Sequence, residues 1–250
     1  MNAQHPLEEK FRETGGKRAY VQRLFGRIAR IYDLLNRLMS FGLDRRWRAF
    51  AARRLALSTG EVGLDLGTGT ADLSIAVIRR SKPGTRMIGM DITPEMLEVG
   101  RIKVARLGLQ DRIELRPGDA EHIDLPENSV DGCCSAFTAR NLTDIRQGFS
   151  EMLRVVRPGG RVVCLEISHP PGKIFGSLFH FYFYRVAPLF GAIIGKAFEE
   201  YNYLPNSLTT FPDAPALKAI MEEVGWSDVR FYRLSGGMVA VHVGTKPEEH

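Results

Sequence analysis

The feature that most restricts this chain is the run Leu64-Asp65-Leu66-Gly67-Thr68-Gly69-Thr70-Ala71-Asp72. A short apolar strand, Val62–Leu66, runs into a glycine-rich turn and then into a helix, Ala71–Arg80. Gly67 and Gly69 let the backbone turn tightly and approach a ligand without a Cβ in the way. The theme repeats downstream. Arg86–Met90 reads as a strand ending at Asp91, and Pro94–Arg106 as a helix with proline in its first turn. Ile113–Arg116, Val130–Phe137 and Arg161–Ile167 read as further strands, the last entered through Pro158-Gly159-Gly160. Asp144–Val156 and Ala214–Val224 read as helices, and Val229–Leu234 with Met238–Val243 as a terminal hairpin around Gly236-Gly237. This alternation implies an α/β fold with a doubly wound, mainly parallel sheet, whose ligand lies at the carboxyl ends of the strands.

A glycine turn alone serves nicotinamide enzymes equally well. Two details separate the readings. Asp72 stands where G-x-G-x-x-G has its third glycine, which packs a helix beside a pyrophosphate. Asp65 precedes the loop, where a carboxylate suits the cationic amino acid end of S-adenosylmethionine (SAM), which has no pyrophosphate. Asp91 can accept hydrogen bonds from both ribose hydroxyls, in NAD or SAM alike. After the third strand comes Gly118-Asp119-Ala120, where a side-chain oxygen can meet an adenine amino group and the adjacent amide a ring nitrogen. With the run Ile123–Asp131 and Arg157-Pro158-Gly159-Gly160, this order and spacing resemble the SAM-dependent, Rossmann-like methyltransferases.

More specific blocks follow. Phe25-x-x-Ile28-Ala29-x-x-Tyr32-Asp33-x-x-Asn36, then Leu38-Met39-Ser40-Phe41-Gly42 and Trp47-Arg48, resemble the ubiquinone/menaquinone biosynthesis C-methyltransferase family. So do Arg140-Asn141-Leu142-Thr143-Asp144, Tyr201-x-Tyr203-Leu204-x-x-Ser207 and Gly236-Gly237-Met238-Val239-Ala240-Val241-His242. The resemblance implies one methyltransferase domain over residues 1–250, with a seven-stranded sheet and an antiparallel C-terminal hairpin. Its parts would be an N-terminal tail and helical lid (1–57), a SAM-binding core (58–167), a substrate-lid insertion (168–212) and a C-terminal helix and hairpin (213–250). It places cofactor contacts on Thr70, Asp91, Asp119 and Ala120, beside Gly67 and Gly69. A further family position, usually serine, is Ala136 here, which removes one hydroxyl.

The implied reaction is attack of an electron-rich quinol carbon on the sulfonium methyl after the ring hydroxyl loses its proton. That needs alignment and a stabilised phenolate, and no metal. Arg140 is the candidate to stabilise that oxyanion, Asn141 to orient the ring or a water, and Tyr32 to join their network. The plainer readings are a strand-to-helix connection capped by Asn141 and a Tyr32 that is simply helix core. His169 could assist as a base, although a lone loop histidine is more often structural.

Charge is unevenly placed. Thirteen Lys/Arg against Glu8, Glu9, Glu13, Asp33 and Asp44 give residues 1–54 a charge of +8, and the remainder carries −3. Residues 1–16 read as disordered. From Val21 to Met39, apolar residues at three- and four-residue spacing alternate with Arg23, Arg27, Arg30 and Arg37 as one amphipathic basic helix. After the turn Ser40-Phe41-Gly42, Asp44–Leu57 reads as another helix. A basic end suits an anionic membrane surface or a nucleic acid, or is merely a solvated face. No basic-aromatic recognition motif supports a nucleic acid. The insertion Lys173–Phe198, rich in aromatics and interrupted by Pro188, Gly191, Gly195, His180 and Arg185, reads as an apolar lid or as core rather than a membrane span.

Hydrophobic residues at 44% and charged at 25% exclude disordered and fibrous classes. Cys133, Cys134 and Cys164 have no metal-ligand spacing, and with no secretory signal they fit a reducing interior. The expectation is a cytoplasmic enzyme, peripheral on the inner face of the membrane, with a lipid quinol as substrate. Monomer or homodimer is left open. The rivals are a methyltransferase acting on another hydrophobic small molecule and a non-catalytic SAM-binding module.

Overall fold

The computed structural model describes residues 6–172, 203 and 206–248. Four helices come first: α1 (Pro6–Thr14), α2 (Lys17–Ile28), α3 (Tyr32–Met39) and α4 (Asp44–Leu55). The alternating core follows as β1 (Val62–Leu66), α5 (Asp72–Ile78), β2 (Arg86–Asp91), α6 (Pro94–Arg106), β3 (Ile113–Pro117), β4 (Val130–Ala136), a 3-10 turn at Ala139–Asn141, α7 (Ile145–Val155) and β5 (Val156–Ile167). The chain closes with α8 (Ala214–Val224), β6 (Ser227–Leu234) and β7 (Val239–Thr245).

The seven strands form one sheet in the order β3-β2-β1-β4-β5-β7-β6. β1 to β5 are parallel, and β7 runs antiparallel between β5 and β6. Strand order reverses between β1 and β4, so the loops leaving them diverge to opposite faces and open a crevice at their carboxyl ends. The register brings Asp91 beside Pro117, and Leu66 between Met90 and Ser135, at that edge.

Successive strand residues point to opposite faces. Cys133 therefore packs with Leu64, Phe149, Met152 and Trp226 on the α7/α8 side. Cys134 packs with Leu55, Val77, Met87 and Leu165 on the α4/α5 side. Burial pushes all three thiols up, which makes them inert core groups. A third cluster unites Leu7, Val21, Leu24, Ile28, Leu35 and Tyr203 as a helical layer over the crevice.

The N-terminus differs from expectation in two ways. Residues 6–14 are helical, because Leu7 is buried in the third cluster and Phe11 meets Tyr20 edge-on at 5.4 Å. The expected single helix from Val21 to Met39 is two, separated by a turn at 29–31 in which Ile31 N–H donates to the Ile28 carbonyl at 3.0 Å. Both pieces bury their apolar stripe in the same cluster, which is why the spacing reads through the break. β5 also starts earlier, at Val156, and carries Pro158-Gly159-Gly160 within it. The proposed lid Lys173–Phe198 lies outside the described residues. Among the described residues, no helix is long and apolar enough to cross a membrane, and no three His/Cys/Asp/Glu groups could share a metal ion.

Candidate active site

The turn after β1 closes with three left-handed residues, Gly67 (φ +62°), Gly69 (φ +54°) and Ala71 (φ +68°). A Cβ on Gly67 would lie 2.2 Å from Thr138 Oγ1, so glycine is required there by space as well as by backbone angle. Asp65 lies beneath the turn. Its Oδ2 accepts from Thr68 Oγ1 (2.8 Å), Ser74 Oγ (2.7 Å) and Ser74 N–H (3.0 Å). Desolvation outweighs those donors and pushes its carboxyl up to about 6. The expectation that Asp65 meets the cofactor therefore changes: its carboxylate braces the loop from inside and does not line the cleft.

The cleft occupies ≈ 670 Å³, including its open mouth. One wall is the sheet edge: Gly67 and Gly69, then Asp91, Ile92, Thr93 and Met96, then Gly118, Asp119, Ala120 and Glu121. The opposite wall comes from the helical layer through Arg18, Val21, Phe25 and Tyr32. Ala136, Phe137, Thr138, Asn141 and Leu142 close the far end.

Asp91 is held by two backbone amides, Gly69 N–H to Oδ2 and Thr93 N–H to Oδ1, both at 2.8 Å. Burial nevertheless raises its pKa. Asp119 accepts from Glu121 N–H at 3.0 Å and pairs with Arg18 at 2.8 Å. These carboxylates, and the glycine-only approach at Gly67, fit the ribose, adenine and amino acid ends of SAM. Thr70 is turned away from the cleft. Its hydroxyl donates to Asp33 Oδ1 at 2.6 Å and accepts from Lys103 at 3.0 Å.

At the far end Asn141 and Tyr32 face the cleft, and Arg140 does not. The Asn141 amide donates to Phe137 O at 3.1 Å, and its Oδ1 accepts from Tyr203 OH at 3.1 Å. Tyr32 is half-buried and meets Phe25 edge-on, with ring centroids 5.8 Å apart, and desolvation raises its pKa against the pull of Arg48, Asn36 and Arg140. Arg140 is 6% exposed, ion-paired to Glu166, and keeps a buried Nε without a hydrogen-bond partner. His169 bonds the Phe211 carbonyl at 3.2 Å and does not line the cleft.

Residues 13–246 match the ubiE/COQ5 methyltransferase family. The chain belongs to that family. It is a SAM-dependent methyltransferase. A relative from Geobacter sp. (strain M21), "Ubiquinone/menaquinone biosynthesis C-methyltransferase UbiE", is 41% identical over 226 residues, 90% of this chain and 96% of its own. "Demethylmenaquinone methyltransferase" of Thermus thermophilus is 41% identical over 224 residues, 90% of this chain and 100% of its own. The fold resembles a SAM-dependent methyltransferase from Thermotoga maritima (TM-score 0.63, 16% identity, covering 90% of this chain and 99% of that one). It also resembles Haemonchus contortus phosphoethanolamine N-methyltransferase 2 in complex with SAM (TM-score 0.60, 16% identity, 81% and 52% covered).

Within this family frame, several site residues escape a reading of the sequence. Glu166 is one, although an acid in the apolar run Val162–Ile167 is a legible sign of a buried partner. Lys17 is another: its ammonium ties α2 to the 3-10 turn through the Arg140 and Leu142 carbonyls, at 3.0 and 2.5 Å. Nothing in its local pattern separates it from the other basic residues nearby.

Proposed function

We propose that the protein carries the methyl group of SAM to a ring carbon of a polyprenylated benzoquinol or naphthoquinol, working from the cytoplasm at a membrane surface. The observation that carries this reading is the chain-long similarity to proteins named for quinone C-methylation. The cleft supports it, because apolar Val21, Phe25, Phe137 and Leu142 share it with the polar Asp91 and Asp119. Such a lining suits a flat ring on a greasy tail.

SAM would supply an electrophilic methyl group and depart as S-adenosylhomocysteine, and the one proton released overall, from the methylated ring carbon, passes to water at the open mouth of the cleft. Asp91 takes the ribose hydroxyls, while Asp119 and the Ala120 amide take the adenine. Gly67 and Gly69 let the backbone come close to the amino acid end. Tyr32 lines the cleft, where its phenol, held above its ordinary range by burial, is placed to donate to the quinol oxygen. Asn141, fixed by Phe137 O and Tyr203 OH, orients the ring. Arg140 contributes its positive charge from the second layer, where it favours a developing phenolate in a region with little water. Ala136 leaves the wall beside Phe137 without the hydroxyl of the usual serine.

The deciding experiment incubates the purified protein with SAM and a short-tailed demethylmenaquinol in reducing buffer. The expected product carries a new methyl on the ring carbon. Methylation at oxygen, or turnover only of an unrelated apolar acceptor, would favour the alternative of a different hydrophobic substrate.

A further inference from the structure

Behind the glycine turn lies a second cavity, ≈ 930 Å³ with its open mouth, walled by α3, α4, α5 and α6. Its floor is ionic and internally matched. Arg48 pairs with Asp44 at 2.5 Å and faces Asp72 at 4.0 Å, while Lys103 pairs with Asp33 and, at 2.8 Å, with Asp72. The floor thus uses all three carboxylates that line the cavity. The rim is different. Arg37, Arg45, Arg79 and Arg80 are exposed, and of these only Arg80 makes a hydrogen bond, to the Ala76 carbonyl at 3.1 Å. The Arg37, Arg45 and Arg79 side chains make no hydrogen bond or close ion pair among the described residues, although Arg37 is near enough to Asp72 for its charge to help hold that carboxyl low.

The helices that wall the cavity, and the turn between α3 and α4, also carry exposed apolar side chains. Among the described residues, the large hydrophobics left exposed are Leu34 (51%), Leu38 (38%), Phe41 (71%), Ile102 (46%) and Leu107 (40%). Leu107 lines the cavity, and Leu34, Leu38 and Ile102 each adjoin one of its residues in sequence. Six cations against three carboxylates, with exposed apolar groups on the same helices, match an amphiphile with an anionic head and an apolar body. A free anion would make no use of those apolar groups.

We propose that this face docks the protein on an anionic phospholipid bilayer, with lipid phosphates drawn to Arg37, Arg45 and Arg79 and with Leu34, Leu38, Phe41 and Ile102 entering the interface. The inference rests on the membrane-resident quinol proposed above and adds where the bilayer sits. Tyr32 lines the catalytic cleft and its neighbour Asp33 lines this cavity. A bilayer docked here therefore meets α3, the helix whose Tyr32 lines the cleft, and the Asp33–Thr70 hydrogen bond links that helix to the cofactor turn.

The test co-sediments the full chain with vesicles of phosphatidylglycerol and phosphatidylcholine in equal parts, and with phosphatidylcholine alone. Binding is expected to favour the anionic vesicles. Arg37→Gln with Arg79→Gln should weaken it roughly 25-fold, from about fivefold per basic residue near an anionic surface. Both side chains are exposed and make no side-chain hydrogen bond, so their loss removes no core contact. Leu34→Gln with Ile102→Gln should weaken binding at high salt as well as low, because the apolar contribution is not screened. A charge-matched control, Lys218→Gln with Arg230→Gln on α8 and β6, should cost less than about threefold, since charges beyond a Debye length contribute little. An equal loss in that control would reduce the effect to net charge and overturn the site. Inorganic pyrophosphate that binds through Arg37 and Arg79 while vesicles do not would assign the cavity to a free anion, also against the proposal. Absence of vesicle binding together with methylation of a quinol in detergent micelles would remove the docking face alone. Absence of methylation in micelles would instead strike the proposed reaction.

Discussion

Arg140 and Glu166 form an ion pair inside the core, where the 3-10 turn after β4 meets the end of β5, and the Arg140 amide also donates to Glu166 at 3.3 Å. The pair holds the strap that carries Asn141 into the cleft. Taking away the arginine leaves a buried carboxylate without its partner, and breaking such a pair costs about 3–5 kcal/mol. Arg140→Ala should therefore lose stability by about that amount, which urea unfolding reads directly. The double variant Arg140→Ala with Glu166→Gln removes the stranded charge and should recover most of the fold. Its turnover should remain below the wild type with SAM affinity nearly intact, because a charge behind the cleft wall still favours a developing phenolate where the local dielectric is low. Recovery of activity along with stability would make Arg140 a structural residue only.

Asp91 has two jobs at once, because its oxygens hold the Gly69 and Thr93 amides while it faces the cleft. Asp91→Ala should weaken SAM binding by about 1.5–3 kcal/mol in calorimetry, the worth of a charge-assisted hydrogen-bonding group. Asp91→Asn keeps one carbonyl oxygen for an amide and should lose less. Unchanged SAM affinity in a folded Asp91→Ala would remove the ribose assignment.

The frame and the cleft differ in how much of each the sequence displays. Strand β1, the glycine turn and Asp91 are legible because short apolar runs, glycines and a strand-end acid are local signals. Helices Pro94–Arg106 and Ala214–Val224 appear with the bounds that their proline starts and periodicity indicate. Asp65 illustrates the opposite case. Its position beside the loop is visible in the chain, but whether its carboxylate points to ligand or to core depends on Thr68 and Ser74 closing over it. The break after Ile28 is hidden because both helices feed one apolar cluster, and periodicity reports only the shared face. Glu166 is legible as a buried acid but its pairing with Arg140 is not, and Lys17 acts over more than a hundred residues, where no local pattern can register it.

Thr70 and Asp33 connect the helical layer to the cofactor turn by a single hydrogen bond of 2.6 Å, with Lys103 paired to the same carboxylate. Removing either end should loosen the turn by a similar amount, about 0.5–1.5 kcal/mol for a hydrogen bond that is partly solvated. Thr70→Val and Asp33→Ala, each of which deletes one end of that hydrogen bond, should thus weaken SAM binding to a similar extent. The double variant should lose little more than either single one, because the two changes remove the same contact. Strict additivity in binding calorimetry would show that Thr70 meets the cofactor by itself and that the link to α3 is incidental.

Two buried groups set opposing pH slopes. The Asp65 carboxyl is raised to about 6 by burial, so its contribution to stability is fully present below its unfolded value near 4 and is lost as pH rises through about 6. The His242 imidazole is lowered to about 4 by burial beside the Ala214 carbonyl, so its contribution is present above about 6.5 and is lost as pH falls through about 4. Between pH 4 and 7 the two largely cancel in the wild type. Each displacement from the ordinary value is worth roughly 2–3 kcal/mol. Asp65→Asn removes the gain on acidification, so its stability deficit relative to the wild type should grow by about 2–3 kcal/mol as pH falls from 7 to 4. His242→Gln, which can still donate toward the Ala214 carbonyl, should show a deficit that shrinks by a similar amount over the same range. Urea unfolding of the three proteins at both ends of the range decides the matter. Deficits that do not change with pH would mean that neither group titrates out of step with the unfolded chain.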